Sequence, residues 1–230
     1  MALNLVDQDY FDGALAASGF LIRSMNGMAA IRSFVAIELS EEAIVALDRL
    51  QRELKKQAPP NAVRWSRPES IHLTLQFLGD VAPERIGAVS EALAGVCVGQ
   101  VPFVIEMQGL GVFPNPRRPR VVWVGISEPS GALAALQKGV SQVLEPLGFE
   151  PEQRPFTPHL TLGRASRRAS ARELVELGEL ITHFETGVLS RVMVDRIILM
   201  RSDLKPDGAV YTPQAVLALG GSGNRKAGSG

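Results

Sequence analysis

One cysteine, Cys97, is all the thiol chemistry this chain has. A lone cysteine rules out an intrachain disulfide and any multi-cysteine zinc site, and it fits a reducing compartment. Net charge is also missing: lysine plus arginine number 24, matched by 24 acidic residues. That balance does not suit a protein that coats long stretches of nucleic acid, but it leaves room for a pocket holding one phosphate. Apolar runs stay well short of the ~18 residues of a membrane span. A secretory signal is not expected either, because Asp7, Asp9 and Asp12 come early and no basic residue precedes Arg23. The expectation is a cytoplasmic monomer without a membrane segment. With 46% hydrophobic residues in 230, the chain has enough apolar material for one large domain or two small lobes.

Histidine is rare too, at three residues, yet two of the three open the same tetrapeptide: His72-Leu73-Thr74-Leu75 and His159-Leu160-Thr161-Leu162. Each lies in an alternating apolar run, Ile71 to Leu78 and Phe156 to Leu162. Period-two alternation reads as a strand, in which residues i and i+2 share a face. Strict alternation therefore groups His72, Thr74 and Gln76 on one face, and His159, Thr161 and Gly163 on one face. The leucines are assigned to the core and the polar set to the lining of a site. His183 reads as a helix-end residue, Phe77 and Phe113 as core, and Trp65 and Trp123 as core or cleft wall.

The other elements follow from periodicity and punctuation. Arg32 to Leu39 is a strand. Ser40 caps a helix with Ile44, Leu47, Leu50 and Leu54 on one stripe, stopped by Pro59-Pro60. Val63 to Trp65 is a short strand, Pro83 to about Val96 a helix, and Val101 to Met107 a strand. Gly109 to Pro119 reads as a loop and Arg120 to Ile126 as a strand. Ser130 is expected to cap a helix that ends at Gly148. Ser170 and Glu173 have capping-box spacing. Strands are expected over Phe184 to Leu189, Val192 to Met200 and Val210 to Leu219, with a turn at Pro206-Asp207-Gly208.

Strand, helix and His-Leu-Thr-Leu occur twice in that order. This points to an α+β fold of two lobes related by a pseudo-twofold axis, the polar faces of the two His strands meeting across a cleft. Residues 1–27 read as an N-terminal extension, 28–219 as the bilobal domain, and 220–230 as a disordered Gly/Ser tail.

Taken singly, a histidine on a strand is more often a partnered or surface residue than a catalyst, and a strand threonine usually reflects β-propensity. Duplication within an internal repeat is what makes the pair chemical. An imidazole titrates near neutrality, so of two facing imidazoles one can accept a proton while the other donates one. Opening a cyclic phosphodiester needs that division of labour. Thr74 and Thr161 could donate to the non-bridging oxygens, and Arg164 offers a planar cation suited to phosphate. A metal centre is the weaker reading: no Cys, Asp or Glu clusters beside the two histidines, and the Glu41-Glu42 pair sits far off in sequence.

These residues, together with Arg32–Leu39, Val63-Arg64-Trp65, Ile71–Gly79, Gly111-Val112-Phe113-Pro114, Arg120–Ile126 and Pro158–Arg164, resemble the two-histidine phosphoesterase superfamily. Within it the chain is similar to the bacterial and archaeal RNA 2′,3′-cyclic phosphodiesterases, also called 2′-5′ RNA ligase-like proteins. The resemblance covers about Met28 to Leu219. It implies two mainly antiparallel sheets flanking a central cleft, with helices outside. It implies His72 as proton donor, His159 as proton acceptor, and Thr74, Thr161 and Arg164 as phosphate ligands. No metal or cofactor is implied. The implied reaction is hydrolysis of RNA 2′,3′-cyclic ends, or of cyclic nucleotides, to 2′-phosphomonoesters. The alternatives are 2′-5′ ligation, tRNA-end processing, or a non-catalytic RNA-end or nucleotide-binding module on the same fold.

Overall fold

The computed structural model describes residues 29–205 and 208–220. The expected extension over residues 1–27, the tail beyond Gly220 and the turn residues Pro206 and Asp207 lie outside the described residues. The strands are β1 (Ile31–Ile37), β2 (Val63–Trp65), β3 (Leu73–Val81), β4 (Phe103–Phe113), β5 (Val121–Ser127), β6 (His159–Ala165), β7 (Val188–Val194), β8 (Arg196–Lys205) and β9 (Gly208–Ala218). The helices are α1 (Glu41–Gln57), α2 (Ile86–Cys97), α3 (Ala132–Leu144) and α4 (Ala171–His183).

The strands run in the order β7-β4-β5-β6-β3-β1-β8-β9, with β2 added beside β6. Every pairing is antiparallel. The order splits into two matching halves, β6-β5-β4-β7 and β3-β1-β8-β9, each with a His strand at the centre. The two halves of the sheet meet at one residue pair, Leu73 with Leu160.

The helices lie on one side of this sheet, and two of the four cross between the halves. α1 follows β1 but packs on β7, and α3 follows β5 but packs on β3. α2 lies on α3 and β9, and α4 lies on β4. Leu47 and Leu54 of α1, Leu136 and Val140 of α3, and Leu73 and Leu160 are completely or almost completely buried together. Burial of each such leucine stabilises the fold by about 1.5–3 kcal/mol. A smaller apolar cluster of Phe34, Ala36, Ile198 and Met200, with Tyr211 against it, lies separate from this main core.

Local chemistry explains most element ends. The Ser40 hydroxyl accepts from Ala43 N at the start of α1. The Ser170/Glu173 capping box forms at α4. The start of α3 differs from the sequence reading. Gly131, at φ 84°, is the N-cap, and Leu133 N donates to Glu128 Oε2 at 3.0 Å. Ser130 sits one residue before the cap position; it bonds Glu128, and its Oγ also accepts from Ala132 N at 3.3 Å. β4 also runs on to Phe113 where a loop was expected from Gly109. A bulge between Gln108 and Leu110, with Gly109 at φ 71°, lets the strand continue. The break between β7 and β8 falls at Asp195, later than expected, where the chain leaves one half's edge and enters the other half.

Candidate active site

The seam pair Leu73 and Leu160 fixes the geometry of the site. Both side chains are buried on the helix side. One residue to either side, an antiparallel register sets His72 across from Thr161 and Thr74 across from His159, all four on the opposite face. The structure thus brings together the two histidines and two threonines singled out in the sequence.

Immediately after each motif, alternation fails in the same way. Ala36 pairs with Thr74 and Val35 with Gln76, so Leu75 is an extra residue in β3. Trp123 pairs with Thr161 and Val122 with Gly163, so Leu162 is extra in β6. Each is a β-bulge. Past it, the next residue turns toward the helices and the one after turns to the site face. Gln76 is therefore only 5% exposed and its Oε1 accepts from Ser141 Oγ of α3 at 2.7 Å; it does not share a face with His72 and Thr74. Gly163 turns inward in the same way: a Cβ there would meet Val63 Cγ1 at 2.7 Å and Arg64 O at 2.9 Å. Phe77, read from sequence as core, is 40% exposed. Its counterpart in the second half is Arg164, which the bulge carries onto the site face; simple alternation would have placed it with Leu160 and Leu162.

The bulge carbonyls are held from the crossing helices. Gln51 of α1, fully buried, donates from Nε2 to Leu162 O at 2.8 Å and to Ser66 O at 3.0 Å. In the other half Gln137 Nε2 of α3 lies 3.5 Å from Leu75 O. Helix crossing therefore serves the site, since each half's helix supports the other half's His strand.

The imidazoles are mounted alike. His72 Nδ1 lies 2.9 Å from Ser70 O and His159 Nδ1 lies 2.7 Å from Thr157 O. A carbonyl only accepts, so Nδ1 carries the proton in both rings and Nε2 is left for the substrate. His72 stacks on Phe34 at 4.7 Å between centroids and meets the edge of Tyr211 at 4.9 Å. His159 meets Phe113 edge-on at 5.0 Å and lies 6.4 Å from Trp123. Phe113 is thus a wall of the site and not core, and Trp123 is the wall beside it. Gly111, directly across from Trp123, has no room for a Cβ because the indole occupies that space. Trp65 packs against the main core with the Lys55 ammonium 5.8 Å from its ring.

Burial lowers both histidine pKa values below the ordinary value, with the Nδ1 bonds pulling the other way. Only His159 is further lowered by the positive charge of Arg164. Tyr211 is raised by burial, and the charges of Arg164 and Arg32 oppose that shift. Arg164 therefore acts on His159 of its own half and on Tyr211 of the other half. Phe34 and Tyr211 were not singled out in the sequence; they reach His72 through β1 and β9, a placement no local pattern encodes. His183 ends α4, its Nδ1 2.8 Å from Glu179 O, away from the pair. Among the described residues no group of three His, Cys, Asp or Glu side chains is gathered to hold a metal ion, and no helix is long and apolar enough to cross a membrane.

Two matching halves, each supplying one His-x-Thr pair to a common face, define a two-histidine phosphoesterase. The comparisons agree. The LigT like Phosphoesterase family matches residues 37–123 and again residues 124–211, one match for each motif. The RNA 2′,3′-cyclic phosphodiesterase of Methanothermobacter thermautotrophicus is 35% identical over 82% of this chain and 99% of its own. That of Aquifex aeolicus is 32% identical over 84% of this chain and 100% of its own. The crystal structure of E. coli LigT complexed with 3′-AMP superposes with a TM-score of 0.65 at 29% identity, covering 83% of this chain and 98% of that one. The chain belongs to the LigT-like phosphoesterase family.

Proposed function

We propose that the chain is an RNA 2′,3′-cyclic phosphodiesterase that hydrolyses cyclic phosphate ends to 2′-phosphomonoesters, using an acid–base pair of histidines and no metal. The observation that carries this reading is the crossed arrangement around Leu73 and Leu160, with two identically mounted imidazoles and two threonines on one face. The relatives of the same family that bear the name of this activity support it.

His159 is the proton acceptor. Its Nε2 lone pair takes a proton from water as the water oxygen attacks phosphorus. Arg164 beside it favours the neutral ring and binds a non-bridging oxygen. The P–O3′ bond breaks on the in-line side. His72, protonated at Nε2, gives its proton to the departing O3′. Thr74 and Thr161 donate to the non-bridging oxygens as charge gathers there. The product has a 2′-phosphate and a free 3′-hydroxyl, and the histidines return to their starting states by exchanging protons with solvent. Residues 28–219 form the catalytic unit, acting in the cytoplasm as a monomer.

The test is hydrolysis of a cyclic-ended oligoribonucleotide in excess chelator by the wild type, His72→Ala and His159→Ala. Full wild-type turnover is expected, with each variant slowed about 10²–10⁴-fold. Wild-type activity that requires added divalent metal, or either variant turning over at the wild-type rate, contradicts the mechanism.

A further inference from the structure

We propose that Arg64 is a second phosphate site, holding the phosphodiester next to the terminal cyclic phosphate and starting a path for the RNA strand away from the histidines. The inference rests on the reading of the site as an RNA-end hydrolase. Arg64 and Arg164 are directly paired across β2 and β6. Directly opposed residues share a face, with Cβ atoms about 5 Å apart. The flanking partners fix which face: Val63 belongs to the main core and Trp65 packs against it. Arg64 therefore stands on the site face beside Arg164.

Like charges placed opposite one another destabilise a sheet. Arg52, Arg172, Arg191, Arg196 and Arg201 each pair with a carboxylate. Arg64 is exposed and makes no ion pair among the described residues. A phosphate bound at Arg64 supplies the charge-assisted partner that its guanidinium is suited to.

The surroundings extend the same charge. Segment 164–168 is bonded to segment 115–120 through Ala165 N to Arg120 O at 2.8 Å, and to segment 62–67 through Ser166 N to Ala62 O at 2.8 Å. These three stitched segments hold eight arginines and no aspartate or glutamate, in a chain whose total charge is zero. Arg117 and Arg118, both exposed, lie in the middle segment. The ligand that fits is a single RNA strand, gripped phosphate by phosphate on the 5′ side of its cyclic end. Arg64 makes the site selective for oligonucleotides over mononucleotides.

The experiment is equilibrium binding at several salt concentrations, which needs no turnover. Wild type, Arg64→Gln and the Arg117→Gln/Arg118→Gln double variant are titrated with a nucleoside 2′-monophosphate and with a short oligoribonucleotide carrying the same 2′-phosphate end. Wild type should bind the oligonucleotide more tightly. Arg64→Gln should weaken oligonucleotide binding about tenfold and mononucleotide binding less than about twofold. Its slope of log affinity against log salt should fall by about 0.7, the loss of one single-strand phosphate contact. The double variant should also weaken only the oligonucleotide. Equal weakening of both ligands by Arg64→Gln, or no weakening of either, overturns the proposal. A wild type that shows this binding pattern yet does not open cyclic ends refutes the proposed reaction and leaves the second phosphate site standing.

Discussion

Leu73 and Leu160 face each other across the seam between the two half-sheets, and each lies one residue from a histidine and one from a threonine. Because the strands are antiparallel, a single leucine pair crosses the two motifs: His72 neighbours Thr161, and His159 neighbours Thr74. Each imidazole thus stands beside the other half's hydroxyl, and neither half alone assembles either side of the candidate site.

The pH dependence follows from the two lowered histidines. Burial lowers His72 and His159 below 6.5, and Arg164 lowers His159 further. The profile of kcat/KM reports the free enzyme, where the base must be neutral and the acid protonated. It should be a bell centred on the acid side of pH 6.5. In Arg164→Gln the His159 pKa rises, so the limb assigned to His159 should move to higher pH, together with a loss of rate. Rate profiles of both proteins in one buffer series check this; an unmoved limb would show that Arg164 does not tune His159.

Gln51 should act as a positioning residue. It is buried and bonds the bulge carbonyl that precedes Gly163 and Arg164. Gln51→Met keeps the volume and removes both donors. It should cost about 1–3 kcal/mol of stability by denaturant unfolding, because carbonyls are left poorly paired. Its loss in kcat/KM should largely vanish in an Arg164→Gln background, since the bulge acts through that arginine. Independent, additive losses would mean that Gln51 supports only the fold.

Gly163→Ala tests the inward turn after the second bulge. The added methyl meets Val63 Cγ1 at 2.7 Å and the backbone oxygen of Arg64 at 2.9 Å. Overpacking of this kind costs about 1–3 kcal/mol, and the strain falls on β2. Thermal unfolding should show the loss, and oligonucleotide affinity should fall with it as Arg64 shifts. A variant as stable as wild type would place Gly163 on the open face after all.

The repeated tetrapeptide was legible because both of its signals are local. Alternation separates His72 and Thr74 from Leu73 and Leu75, and the scarcity of histidine makes the repeat stand out. The bulges at Leu75 and Leu162 were not legible: nothing in Leu75-Gln76-Phe77 or Leu162-Gly163-Arg164 announces an extra residue. So Gln76 and Phe77 exchange the faces that strict alternation gives them. Arg164 stands out by its chemistry alone, and the bulge, which alternation does not contain, brings it to the site. The crossing of α1 and α3 is a long-range packing choice, and Phe34 and Tyr211 reach His72 by strand order alone. At α3, Ser130 matches the cap pattern, but Gly131 takes the cap position, and the first helix N–H groups are divided between Ser130 Oγ, which accepts from Ala132, and Glu128 Oε2, which accepts from Leu133.

The most direct test of the account is the position of the product phosphate. The two half-sites share the His-x-Thr pair and the bulge but differ in their aromatic walls, and Arg164 stands in one where Phe77 stands in the other. The proposed mechanism puts the water and the base on the His159 side, beside Arg164, and takes the leaving oxygen beside His72 to be O3′, as the family resemblance implies. Phosphorus NMR of the products from nucleoside 2′,3′-cyclic phosphates, against authentic 2′- and 3′-monophosphates, reads the broken bond. The account predicts the 2′-monophosphate as the main product; a 3′-monophosphate would contradict the assigned roles of His72 and His159 or the orientation of the ribose between them.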